Sequence, residues 1–290
     1  MNPSWLDTTM YPFTFRSLQT DGGQLHYIDE GQGPVVLFVH GTPSWSFEFR
    51  DVIKSLSGRY RCIAVDHMGF GLSDKPANYA YTLDSHKRNL QALIAHLQLQ
   101  HFTIVVHDFG GPIGLSVAAD MPERIDSLIL ANTWCFSVEQ EPEFKRMRAI
   151  LGSPLLPFLY KYFNFSAKYI LPAAFGEKSR LTKEIHQHYL RPFGKASERQ
   201  GTIGFARALL RDQAWFEAVG RALGRLQNTP ALILWGMQDT FVTEKFLDKV
   251  NGYFPRAEVV RYPDAGHFVL EEKSVLATAA IEQFLRKVYP

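Results

Sequence analysis

Five short runs of almost unbroken apolar residues, at 34–39, 61–65, 102–106, 127–131 and 230–235, set the tightest limit on how this chain can fold. Each is too short for an interior helix, and none alternates with polar residues, so each is predicted to be a strand buried on both faces. Between them lie segments with helical spacing, at 49–56, 83–97 and 110–121. In the second of these Leu90, Leu93, Ile94 and Leu97 share one face. Buried strands alternating with helices call for an α/β chain with a mostly parallel central sheet and helices on both faces.

A further strand is expected at 24–28, followed by a turn through Asp29-Glu30-Gly31-Gln32-Gly33. The rhythm breaks between about Cys135 and Arg225, where no central strand is recognisable. That stretch is aromatic and punctuated by proline (Pro154, Pro157, Phe158, Tyr160, Tyr162, Phe163, Phe165, Tyr169, Pro172) and reads as several short helices. Strands resume at 230–235 and 257–262, and a closing helix spans 277–288. The expected organisation is a core in two parts, 1–134 and 227–290, with a helical cap at 135–226. Such a cap would lie over the C-terminal edge of the sheet, where open α/β folds hold ligands.

Composition narrows the function classes. The 290 residues are 46% hydrophobic and 21% charged, as in an ordinary globular protein. The net charge of +2 comes from interleaved acids and bases, and no Lys/Arg block stands out as a nucleic-acid or lipid-binding stripe. No apolar run approaches the length of a membrane span, and MNPSWLDTTMYPFTF lacks the pattern of a signal peptide. Cys62 and Cys135 sit beside apolar strands and are expected to be buried free thiols in a reducing cytoplasm. The expected partner is a small apolar molecule, with no nucleic acid, membrane, cofactor or metal, and a monomer or dimer as the assembly. His186 and His188 lack the signal of a third ligand and read as surface or structural.

The chemistry gathers at the ends of the predicted strands. Val105-Val106-His107-Asp108-Phe109-Gly110-Gly111 joins a buried strand to a small-residue helix. The sharp turn needs small residues because the helix must pass close to the strand. This is the form of the nucleophile elbow of the α/β-hydrolase fold, here with Asp108 at the apex. Alone, Asp108 could equally be a helix N-cap. Two more residues in the fold's order, acid then histidine, weigh against that: Asp239 follows the 230–235 strand, and His267 follows the 257–262 strand. Individually they could be a turn aspartate and a loop histidine. His40-Gly41-Thr42-Pro43 follows the 34–39 strand, where this fold supplies one oxyanion N–H; Thr42 and Phe109 are the candidate oxyanion hole.

These motifs together resemble the haloalkane dehalogenase family. The residues carrying the resemblance are YPFTF at 11–15, HGTPSWSFEFR at 40–50, DHMGFGLSDKP at 66–76, VVHDFGGPIGL at 105–115, WGMQDTF at 235–241 and DAGHFVLEE at 264–272. It extends over nearly the whole chain and lies near the third dehalogenase subfamily and the β-lactone decarboxylase of bacterial olefin synthesis. The resemblance implies an α/β-hydrolase fold, Asp108 as nucleophile, His267 as base and Asp239 as its orienting acid. The nucleophile would displace a leaving group from an sp3 carbon and form an ester, which water activated by His267 would hydrolyse.

Two positions depart from the family pattern. Phe109 stands where a halide-gripping Trp is usual, and Thr42 where Asn is common. A buried halide with too few donors costs several kcal/mol, on the order of a lost polar contact or more. Trp45, Trp134, Tyr189 and Phe268 are the candidates for the substrate or leaving-group pocket, with core packing the commoner fate for Trp45. Epoxide opening, drawing on Tyr160, Tyr162, Tyr169 or Tyr189 as acids, and β-lactone processing stay open on the same triad. A small-molecule receptor built on a hydrolase scaffold is the alternative of another class.

Overall fold

A computed structural model describes residues 3–290. In chain order the elements are β1 (Arg16–Thr20), β2 (Gly23–Glu30), β3 (Val35–Val39), α1 (Arg50–Leu56), β4 (Arg61–Val65), α2 (Leu83–His96), β5 (Phe102–Asp108), α3 (Gly110–Asp120) and β6 (Ile125–Thr133). A helical insertion follows: α4 (Pro142–Leu151), α5 (Leu156–Phe163), α6 (Leu171–Ala174), α7 (Lys183–Leu190), α8 (Gln200–Arg211) and α9 (Gln213–Ala222), joined by short 3-10 and π turns. The chain then returns to the sheet with β7 (Ala231–Gly236), α10 (Glu244–Tyr253), β8 (Glu258–Tyr262), α11 (Val269–Glu272) and α12 (Ser274–Val288).

One eight-stranded sheet has the order β1-β2-β4-β3-β5-β6-β7-β8. β2 pairs antiparallel with both β1 and β4, and the remaining neighbours are parallel. The predicted apolar runs become the central strands because their alternate residues feed opposite cores. Leu37, Val39, Ile104, Val106, Leu128 and Leu130 pack on the side of α2 and α3. Val36, Phe38, Val105, Ile129 and Ala131 pack on the side of α1 and α12. Each such side chain contributes about 1.5–3 kcal/mol on burial, so these strands have no polar face to expose.

Strand order reverses between β3 and β5: the chain leaves β3 for β4 on one side, then crosses back to β5 on the other. This reversal opens a crevice at the strands' C-terminal ends. The loop after β3 and the turn after β5 meet there. Three elements escaped the sequence pattern, β1, α10 and the short α11. β1 is a largely exposed edge strand with one apolar residue, Leu18, as suits an edge that must resist further pairing. α10 lies in a stretch between two core strands that carried no assignment. Among the described residues no helix is long and apolar enough to cross a membrane.

Candidate active site

β5 ends in a turn that holds Asp108 at φ 49°, in the left-handed region that costs a non-glycine residue strain. The surroundings enforce it. A Cβ on Gly110 would lie 2.0 Å from the Val39 carbonyl oxygen, and one on Gly41 2.0 Å from Asp108 Oδ1, so glycine lets the helix start close on β3 and leaves room for the Asp108 carboxylate beside residue 41. The Thr133 hydroxyl donates to the Asp108 carbonyl at 2.6 Å, tying the turn to the end of β6. Asp108 is thereby lifted to the crevice at the β3/β5 switch point.

Its two carboxylate oxygens face different partners. Oδ1 accepts the Thr42 N–H at 2.7 Å, and the Phe109 N–H, at the start of α3, favours the charged carboxylate. Oδ2 lies 3.3 Å from His267 Nε2. Burial alone would raise the carboxyl's pKa. The hydrogen bond and charge of His267, with smaller contributions from His107 and the Phe109 N–H, outweigh it and hold Asp108 below the usual carboxylate range. Thr42, Phe109 and His267, separately nominated from sequence, thus meet on one carboxylate.

On its other side, His267 Nδ1 lies 2.7 Å from Asp239 Oδ2. Asp239 is buried and held by the N–H groups of Phe241 at 2.7 Å and Val242 at 3.1 Å. Burial would lower the imidazole's pKa, but the charge of Asp239 and the hydrogen bonds to Asp108 and Asp239 prevail and push it up to about 10. At neutral pH the resting ring is therefore an imidazolium between two carboxylates. Neutralising Asp108 by esterification would remove two of the influences that hold the proton, leaving a ring able to act as a base.

Asn132, which carried no assignment from sequence, fixes Asp239. Its side-chain amide donates to Asp239 Oδ2 at 2.9 Å and to the Gly236 carbonyl at 3.1 Å, and its oxygen accepts the Gly236 N–H at 2.7 Å. It too has a left-handed backbone, with φ 27°. The polar pair Asn132-Thr133 closing the apolar run of β6 is the signal that could have found it. A second buried imidazole lies behind the first. His107 Nδ1 is 3.2 Å from both oxygens of Glu48, and its Nε2 is 2.9 Å from the His267 carbonyl. The His267 carbonyl can only accept, so Nε2 donates to it, while Nδ1 pairs with the Glu48 carboxyl group. Glu48 and His107 thereby brace the backbone of His267.

A cavity of about 370 Å³ opens over Asp108 and His267. From the sequence candidates it takes Thr42, Phe109, Trp134 and Phe268 into its wall. The insertion adds Tyr160, Phe165, Ser166, Ile170 and Leu171, so the lining is almost wholly apolar. Phe205 from α8 stacks on Phe109 at 4.5 Å. Two buried donors on the wall have no partner: the Trp134 indole N–H and the Thr42 hydroxyl. Trp134 stands edge-on to Phe109 at 4.9 Å.

Two expected pocket residues lie elsewhere. Trp45 is fully buried in the α1/α12 core, and its indole N–H donates to the His188 carbonyl at 3.0 Å. Tyr189 is buried and donates to Glu271 Oε2 at 2.6 Å, on the carboxylate that Arg50 grips with two N–H groups. Trp45 fastens α7 to the loop after β3 and Tyr189 fastens it to α11, because a buried indole or phenol must find an acceptor. His188 accepts the Asp7 N–H at 3.1 Å, and His186 donates to the Ala167 carbonyl at 2.9 Å, so both are structural. Cys62 and Cys135 are buried free thiols.

A family model described as the alpha/beta hydrolase fold matches residues 34–274. The chain is 32% identical over 281 residues to a Mycobacterium bovis protein named haloalkane dehalogenase 2, covering 96% of this chain and 97% of that one. It is 35% identical over 294 residues to the cis-3-alkyl-4-alkyloxetan-2-one decarboxylase of Shewanella oneidensis, covering 96% and 90%. Among solved structures, the haloalkane dehalogenase DatA of Agrobacterium tumefaciens superposes with a TM-score of 0.85 at 25% identity, over 98% of this chain and 100% of that one. The haloalkane dehalogenase DbeA of Bradyrhizobium elkani gives 0.87 at 21%, over 96% and 99%.

Proposed function

The chain belongs to the α/β-hydrolase fold family, among the haloalkane dehalogenases and their relatives, and from that membership we propose that it attacks an sp3 carbon of a small apolar substrate through Asp108. It is a hydrolase of the haloalkane dehalogenase type. The observation that carries the mechanism is the division of labour on Asp108: one oxygen held by backbone N–H groups, the other beside an imidazole that a buried carboxylate orients.

Asp108 Oδ2 forms a bond to the substrate carbon as the carbon–leaving-group bond breaks, and the leaving group departs with the electron pair. Asp108 is ionised and needs no base for this step. The resulting ester no longer holds the His267 proton by charge. Nε2 gives that proton to solvent, where it accompanies the departed leaving group. The neutral ring then takes a proton from water as the hydroxide attacks the ester carbonyl carbon, and passes it to the alcohol oxygen on collapse. The oxyanion forms where Thr42 and Phe109 already present N–H donors, each worth about 3 kcal/mol in comparable sites. Collapse releases the alcohol and restores Asp108. Asp239 holds the Nδ1 proton and the ring orientation, and Asn132 holds Asp239.

Phe109 offers the leaving group no donor, so that task falls to the Trp134 indole N–H and the Thr42 hydroxyl, both on the cavity wall without partners. We read 135–226 as the cap that closes the cavity, and the two free buried thiols support a cytoplasmic setting. A second reading, opening of a strained β-lactone, is favoured by the 35% identical decarboxylase and by the short supply of halide donors. The epoxide reading asked for paired tyrosines. Tyr160 alone of the four candidates reaches the cavity, and burial pushes its hydroxyl up to about 12. Halide release from a bromoalkane, diol from an epoxide and alkene from a disubstituted β-lactone, assayed side by side, test the proposal. Halide release fastest supports dehalogenation, alkene fastest supports the second reading, and no turnover of any refutes both.

A further inference from the structure

Seven large hydrophobic side chains are exposed among the described residues, and five of them, Leu155, Phe158, Tyr162, Phe163 and Tyr169, fall within fifteen residues of chain. Leu155, Phe158 and Tyr162 recur at steps of three and four, so they share one face of α5. The Phe158 ring touches Tyr162 at 4.9 Å and Phe163 at 5.9 Å, making the patch continuous. The opposite face carries Leu156 and Tyr160, which are buried, and Tyr160 lines the cavity. One short element thus separates the substrate cavity from an apolar surface turned to solvent. Contiguous exposed apolar patches mark a surface that meets something.

Charge identifies what. Between Glu143 and Glu177 the chain carries Lys145, Arg146, Arg148, Lys161 and Lys168 and no acidic residue at all. The Lys161 ammonium lies 5.4 Å from the centre of the Tyr162 ring, and that of Lys168 5.4 Å from the Tyr169 ring. Aromatic rings flanked by lysines are the arrangement of an element lying in a lipid interface, rings at the acyl boundary and ammonium groups at the phosphates. A second copy of the chain fits worse. A twofold interface sets each patch against itself, and this one would oppose lysine to lysine with no carboxylate from its own segment between them.

We infer that the outer face of α5 and the turn following it dock on the surface of an anionic lipid bilayer, feeding the apolar cavity with substrate dissolved in the membrane. The docking stands on the surface alone; only the feeding step rests on the proposed function. The sequence excluded a membrane because no run is long enough to span one and no basic block stands out as lipid-binding; a surface contact needs no span, and here single lysines are set beside exposed rings rather than grouped in a block.

The test is flotation of the full-length protein with vesicles of phosphatidylcholine, with and without phosphatidylglycerol. Binding is expected to the mixed vesicles, to weaken as salt rises, and to be marginal on phosphatidylcholine alone. Lys161→Gln with Lys168→Gln should lower partitioning roughly thirtyfold. Phe158→Ser with Phe163→Ser should lower it roughly tenfold or more. Both variants should keep the native melting temperature and turnover of a water-soluble substrate, since none of these residues lines the cavity. Failure to float with the mixed vesicles, or equal flotation of native protein and a folded variant, would overturn the proposal. So would a dimer in light scattering that the Phe158→Ser, Phe163→Ser variant dissociates.

Discussion

The C-terminal edge of the sheet and the helical insertion enclose the same cavity by opposite means. At the sheet edge nearly every polar atom is committed: Asp108 to Thr42, Phe109 and His267, and Asp239 to His267, Asn132 and two backbone N–H groups. The insertion contributes mostly carbon, through Phe165, Ile170, Leu171 and Ala206. Hydrogen bonds fix distance and direction, whereas apolar contacts fix volume. On the proposed function, rate is expected to belong to the edge and substrate choice to the insertion.

Predictions follow from pressing on each side of that division. The largest effect is expected for Asp108→Ala, which should remove turnover to background, a fall of about four orders of magnitude or more. Asp239→Asn should lower kcat by about three to four orders, because the His267 ring loses the acceptor that sets its tautomer. Asn132→Ala leaves Asp239 in place but less constrained. Steady-state kinetics should show kcat down about tenfold to a hundredfold, with KM nearly unchanged. Ile170→Val, in the insertion, should do the reverse, shifting KM by about tenfold at most and the preferred chain length upward, with kcat nearly intact. An insertion substitution that acted on kcat alone would break the division.

The smallest effect is on stability. The pKa of His267 is raised on folding from the ordinary 6.5 to about 10. Its contribution is therefore complete below about pH 6.5 and is lost as pH climbs through about 10. The melting-temperature difference between the native protein and His267→Gln should shrink steadily over that interval. A difference that grew with pH would contradict the imidazolium between two carboxylates.

The same contrast explains what the sequence revealed. Core strands were legible because apolar runs of five or six residues have few other destinies. Asp108, Asp239 and His267 were legible because each directly follows such a run and their order is that of the elbow. Asn132, Glu48 and His107 act through partners 59 to 160 positions away, and no local pattern reports those meetings. The cavity wall was least legible. Trp45 and Tyr189 look like pocket aromatics, and only the positions of the His188 carbonyl and Glu271 assign them to the core. Which aromatic of 135–226 faces in, as Tyr160 does, or out, as Tyr162 does, depends on how the short helices sit on the sheet.

The most direct test of the central claim is the intact mass of His267→Gln after incubation with a bromoalkane or a β-lactone. With attack preserved and water activation removed, the protein should gain one substrate-derived group on the peptide that contains Asp108, and an Asp108→Ala, His267→Gln double variant should gain none. Release of product without any adduct, or an adduct on another residue, would contradict it.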